Sequence, residues 1–214
     1  MPDPRLLYIL LWFPKPSETF IFHEVTALRR LGVEITVLAL YGPWRHGLSG
    51  EMRGFDGPVE RLGVRALGRV AAALWRGARK HPRLFFSALA AVMRPGGGLE
   101  RVLENLWALA CAFLVAERAR ALGVTQLHAP WACGPATVAW LASRLTGLPF
   151  SFTARAHDIA PPDAVMAAKL AAAAVVRCES EANRQELARR FPEAVGKDAD
   201  KLVVTYNGQP LPPG

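Results

Sequence analysis

The segment RLLYILLWFPKPSETFIFHEVTALRRLGVEITVLAL, residues 5–40, reads as a strand, a helix and a strand in succession. Residues 5–13 are apolar without alternation, as expected of a strand covered on both faces. Pro14-Lys15-Pro16 ends it. Ser17 is placed to cap the next helix, and Glu18 lies at that helix's positive end. Ile21, Val25 and Leu28 share one helix face, and Gly32 supplies the usual stop. Residues 33–40 form the second strand. Such a unit crosses over right-handed, and its two strands run parallel.

The same alternation resumes later in the chain. Residues 125–129, 149–153, 173–178 and 201–206 read as strands, with helices at 134–147, 163–172 and 181–191 between them. Gly134-Pro135 opens the first of these helices, with proline at the first helical position. Residues 41–60 are rich in glycine and proline and read as loop. Helices are expected at 61–80, 82–94 and 99–122, broken at Pro82 and at Pro95-Gly96-Gly97-Gly98. The fold class is therefore α/β, a Rossmann-like doubly wound parallel sheet with an α-helical insertion over 61–122. Residues 1–206 make up the domain, and 207–214 read as the start of a linker.

Composition excludes several classes. The chain has 214 residues, of which 51% are hydrophobic and 21% charged, enough for a sizeable core. Its three cysteines lie far apart and cannot all pair, which fits a reducing compartment. There is no C-x-x-C or H-E-x-x-H for zinc, no G-x-G-x-x-G after the first strand, no P-loop and no G-x-S-x-G. No metal or cofactor is expected. The apolar runs fall short of the ~20 residues that cross a bilayer.

In an open parallel sheet, ligands bind beyond the carboxyl ends of the strands, at the point where the strand order reverses. The loops at 14–20, 130–134 and 154–162 leave such ends. They carry Ser17, Glu18, Thr19, Phe20, Trp131, Gly134, Arg155, His157 and Asp158, with His128 close by. From the residues alone, Ser17 and Glu18 read as a helix start, and Phe20 and His128 as core. The pair His157-Asp158, placed directly after a buried strand, is the sharper candidate.

These loops also carry a resemblance. Phe13 to Ile21 followed by Glu24, Leu28 and Gly32, then His128-Ala129-Pro130-Trp131-Ala132, resemble segments of family 4 glycosyltransferases. So do Pro149 to Ile159, Glu179-Ser180-Glu181-Ala182-Asn183 and Asn207-Gly208. The similarity is to the branch that builds bacterial exopolysaccharide, such as colanic acid glycosyltransferases. It implies the N-terminal half of a GT-B enzyme, which transfers a sugar from a nucleotide-sugar with retention. This half receives the acceptor, often lipid-linked; the C-terminal half holds the donor and an E-x7-E motif. No glutamate pair here has that spacing: Glu179, Glu186 and Glu193 are seven apart. By the resemblance, His157 faces the transferred sugar and Asp158 fixes the loop or an acceptor hydroxyl. Ser17 to Phe20 lie near the diphosphate or acceptor, and His128 and Trp131 line the acceptor side. The chain departs from the pattern at Pro130 and Arg155, where the family has histidines, and at Gln209-Pro210, where it has Val-Asp. Arg155 suits a charged acceptor, because its planar fork matches carboxylate or phosphate.

The net charge of +8 is concentrated in one place. Between Arg61 and Arg94 lie eight basic residues and no acid, leaving 18 basic and 18 acidic residues elsewhere. Arg65, Arg69, Trp75, Arg76, Arg79, Lys80 and Arg83 form a basic, aromatic-bearing helical stretch suited to an anionic membrane surface. The expected location is cytoplasmic, peripheral to the inner face of the plasma membrane. Nucleic acid is not an expected partner, since no recognition motif accompanies the charge. Two function classes follow: the acceptor half of a glycosyltransferase, or a non-catalytic module that binds a saccharide or docks a partner at the membrane.

Overall fold

A computed structural model describes residues 4–94, 98–196 and 199–208. Seven strands form one sheet: β1 Arg5–Leu10, β2 Glu34–Ala39, β3 Val59–Arg61, β4 Gln126–Ala129, β5 Phe150–Ala154, β6 Val175–Cys178 and β7 Leu202–Val204. Their order is β3-β2-β1-β4-β5-β6-β7, and every neighbouring pair is parallel. The helices are α1 Thr19–Arg30, α2 Gly50–Arg53, α3 Leu67–Lys80, α4 Pro82–Val92, α5 Gly98–Leu122, α6 Gly134–Thr146, α7 Ala156–Ile159, α8 Met166–Ala172, α9 Glu181–Arg190 and α10 Pro192–Val195. This is the expected α/β doubly wound architecture. The strand order reverses between β1 and β4, so the crevice at their carboxyl ends is the switch point.

The two faces of the sheet differ. On one face Leu7, Ile9, Leu127, Phe150, Phe152 and Val176 pack against α5, α6, α8 and α9, with α3 and α4 outside α5. On the other, Tyr8, Leu10, Ile35 and Val37 pack under α1, joined by Met52 of α2. That second layer stops at β1. Toward the far edge its place is taken by polar side chains, and Val175 and Val203 are 40% and 43% exposed. The register places Tyr8, His128 and Ser151 in one row across β1, β4 and β5.

Several expectations are corrected. Residues 41–60, read as loop, hold α2 and the start of the edge strand β3. Three residues containing Glu60 and Arg61 are too short and too polar to show a strand period. The helix expected from 61 begins at Leu67, because Gly63, at φ +56°, turns the chain after β3. Ser17 makes no capping bond. The chain enters α1 through a 3-10 turn, Pro16–Glu18, which places Ser17 inside the turn instead of ahead of the helix. The expected break at 95–97 and the linker residues 209–214 lie outside the described residues.

Candidate active site

The loops after β1, β4 and β5 meet as the topology requires, and Arg155 is where they join. Its side chain is buried at the head of α7. Nε donates to the Pro130 carbonyl at 3.1 Å, and Nη1 donates to Glu179 at 2.5 Å and to Asn207 Oδ1 at 3.4 Å. The guanidinium lies 4.2 Å from the ring centre of Phe20 and 5.2 Å from that of Trp131. Those two rings meet edge to face at 6.0 Å. A flat cation against two aromatic rings is a favourable contact, worth more once water is excluded. Arg155 thus ties the ends of β4, β5 and β6 to the chain after β7.

Next to this cluster, His157 is exposed on the single turn of α7, whereas Asp158 is buried. One Asp158 oxygen accepts the Arg155 amide at 2.9 Å, and the other accepts the Ala132 amide. Burial raises its pKa to about 6, against the opposing pull of those two amides, Lys169 and Arg155. Asp158 therefore fixes the backbone that presents His157. Ser17 and Thr19 are exposed at the start of α1, and Glu18 pairs with Lys15 at 2.7 Å.

Gly134 is buried where α6 begins, and its amide donates to Glu104 Oε1 at 2.8 Å. A Cβ at Gly134 would stand 2.8 Å from that same oxygen, so a side chain there would have to push the Glu104 carboxylate aside. His128 lies on the α1 face of β4. Its Nδ1 meets Ser151 Oγ at 2.8 Å, and its ring stacks at a tilt on Tyr8, 4.6 Å away. Gln126 donates to the same Ser151 oxygen at 3.2 Å. Burial lowers the His128 pKa to about 4, so the ring is neutral at pH 7. Tyr8 in turn donates to Glu24 on α1, and Glu24 pairs with Arg177 at 2.5 Å. A groove of about 1170 Å³ opens between α1 and the chain after β7, with Phe20, Glu24, Arg177, Tyr206 and Asn207 in its wall.

The structure thus brings Phe20, Trp131 and Arg155 into contact and sets His157 and Asp158 on the next helical turn. It places His128 down the sheet face instead, and Gly134 against α5. Sequence reading missed Glu104, Lys169 and Asp163, and it named Glu24 only in the resemblance, with no role at the site. Lys169 stood out only as a lone cation inside an alanine-rich run. Among the described residues no three His, Cys, Asp or Glu side chains are grouped to hold a metal ion.

The cations of the insertion sit mostly outward. Arg65, Arg69, Arg79, Lys80 and Arg83 have no carboxylate partner among the described residues, and Arg79 lies 4.7 Å from the ring centre of Trp75. Arg76 instead forms a forked pair with Glu117 of α5. Trp75 and Phe86 are 60% and 63% exposed.

Comparison with solved structures finds a similar fold in parts of several glycosyltransferases. A glycosyltransferase from Rickettsia africae ESF-5 aligns over 95% of this chain with a TM-score of 0.53 and 14% identity. Acinetobacter baumannii MurG aligns over 97% at 0.51 and 13% identity, and the lipopolysaccharide outer core galactosyltransferase WaaB over 94% at 0.54 and 9% identity. The chain spans 43%, 47% and 45% of these proteins, respectively. At such identities the likeness is one of fold. No family model matches the sequence. No curated protein matches it either.

Proposed function

We propose that this chain is the acceptor-side domain of a retaining glycosyltransferase of the family 4 type. Its substrate pair is a nucleotide-sugar and a lipid-linked saccharide of bacterial polysaccharide synthesis. The observation that carries the reading is the exposed His157 imidazole, set on a backbone locked by Asp158 beside the Phe20–Trp131–Arg155 cluster at the switch point. In this reading His157 hydrogen-bonds a hydroxyl of the sugar in transfer and orients it. Trp131 and Phe20 offer apolar ring surface to a saccharide. Ser17 and Thr19 contribute polar groups at the cleft, and the donor is held mainly by a second domain.

The reading is tested with the chain joined to a donor domain. His157→Ala is expected to lower transfer by on the order of tenfold to a hundredfold, at ~1.4 kcal/mol per decade, with an unchanged unfolding curve. Wild-type turnover in that variant would remove His157 from the chemistry. Transfer by this chain alone would overturn the division between acceptor and donor domains. The basic face of α3 and α4 supports a further part of the reading: this face rests on an anionic membrane at the cytoplasmic side, where a lipid-linked acceptor is found.

A further inference from the structure

Behind the 130–133 loop lies a polar network that the proposed chemistry does not use. Lys169 on α8 is fully buried, and so is the Asp163 carboxylate 2.6 Å away. Asp163 also accepts the Val165 amide at 3.1 Å and the Asn105 side-chain amide at 3.3 Å. Thr137 of α6 donates to Asn105 of α5 at 3.0 Å and lies 3.4 Å from the Lys169 ammonium. The remaining donor of Lys169 reaches the carbonyl of Ala132. From the opposite side, Asp158 accepts the amide of that same residue. Ala132 is thus gripped at both its N–H and its C=O by charged side chains from two different elements.

An ion pair buried for stability alone is a poor device, because apolar residues of like volume do as well or better. What apolar residues cannot do is satisfy a carbonyl that no helix or strand engages. Ala132 lies in such a stretch, between the end of β4 and the start of α6, and its predecessor is Trp131. We infer that Lys169 and Asp158 are positioning residues: they fix the Ala132 backbone and through it aim the Trp131 ring at Phe20 and Arg155. The inference rests on the reading of Trp131 as part of a saccharide site.

The test uses protein labelled with 5-fluorotryptophan. The chain has six tryptophans, and the Trp131 signal is assigned from Trp131→Phe. Lys169→Met alone strands a buried carboxylate, so the informative variant is Asp163→Asn/Lys169→Met, which removes both charges at similar volume. It is expected to fold and to melt within a few degrees of the parent. Its Trp131 resonance should move by more than a linewidth while those of Trp12, Trp44 and Trp75 stay in place. Asp158→Asn, which breaks the other half of the grip, should displace the same resonance. An unmoved Trp131 signal in the folded double variant overturns the inference. So does a double variant that cannot fold, since the pair would then be structural. A separate arm adds neutral and uronate-containing hexasaccharides to the parent protein. If Trp131 responds, the double variant should require about tenfold more saccharide for the same response. If no saccharide moves Trp131, the saccharide-site reading fails, and the spectra of the variants still decide the grip.

Discussion

His128 on β4 and Asp158 on the helical turn after β5 respond to burial in opposite senses. His128 is driven down to about 4 from 6.5, so between those values the unfolded chain binds a proton that the native one refuses. Its effect is to lower stability as pH falls through 6.5 toward 4. Asp158 is raised to about 6 from 3.8, so in that window the native state holds the extra proton, and its effect is to lower stability as pH rises from about 4 to about 6. The two slopes oppose each other between pH 4 and 6. Removing one exposes the other: His128→Asn should gain on the parent as pH falls from 7 to 4, by roughly 3 kcal/mol at ~1.4 kcal/mol per pH unit of displacement. Urea unfolding at a series of pH values measures this. A constant gap between parent and variant would mean that His128 titrates normally.

At the level of elements, the α3–α5 contact depends on a missing side chain. A Cβ on Gly77 would fall 1.9 Å from the ring of Phe113, which is buried in the core and has nowhere to go. Gly68, on the same helix, has nothing within 4 Å of its Cβ position. Helix propensity favours alanine over glycine by about 1 kcal/mol at both sites. Gly68→Ala should therefore raise the melting temperature by a few degrees. Gly77→Ala should lower it, with a net loss of roughly 1–3 kcal/mol from overpacking. Equal effects at the two positions would show that α3 does not pack on α5 as described.

The elements also show what can be read from sequence and what cannot. The β1–α1–β2 unit was legible because 5–13 and 33–40 are long apolar runs with punctuation between them. Strand β3 was not, because its pairing with β2 comes from tertiary register, with only three residues to signal it. The loops of the candidate site were legible from topology, and Phe20, Trp131 and Arg155 do meet there. Their supports were hidden. Asn105, Thr137, Asp163 and Lys169 are separated by up to 64 positions, and nothing local marks a polar residue whose partner is that remote. Ser17 misled for a local reason: the right residue type for a cap, one residue too early.

For the whole molecule, the charge distribution makes the proposed membrane attachment testable. With five cations of α3 and α4 and the loop before them free of carboxylate partners among the described residues, and each worth ~1 kcal/mol near an anionic surface, sedimentation with anionic vesicles should be measurable at low salt. It should fall steeply toward 0.5 M salt, where the Debye length drops to about 4 Å. Arg69→Glu/Arg83→Glu should abolish it, and Trp75→Ala should weaken it at all salt concentrations. Equal binding to neutral vesicles would remove the electrostatic component.

Helix α5 links the basic face to the candidate site. At ~1.5 Å per residue its 25 residues run about 37 Å, from the carboxyl edge of the sheet to the amino edge. Near its first turns Glu104 holds the amide that opens α6; farther along, Arg118 pairs with Glu60 of the edge strand at 2.8 Å; near its end Arg120 donates to the Leu145 carbonyl. The helices that would meet a membrane are packed against this one rod. Whatever surface α3 and α4 meet is therefore joined by a single rod to residue 134 and the loop that carries Trp131.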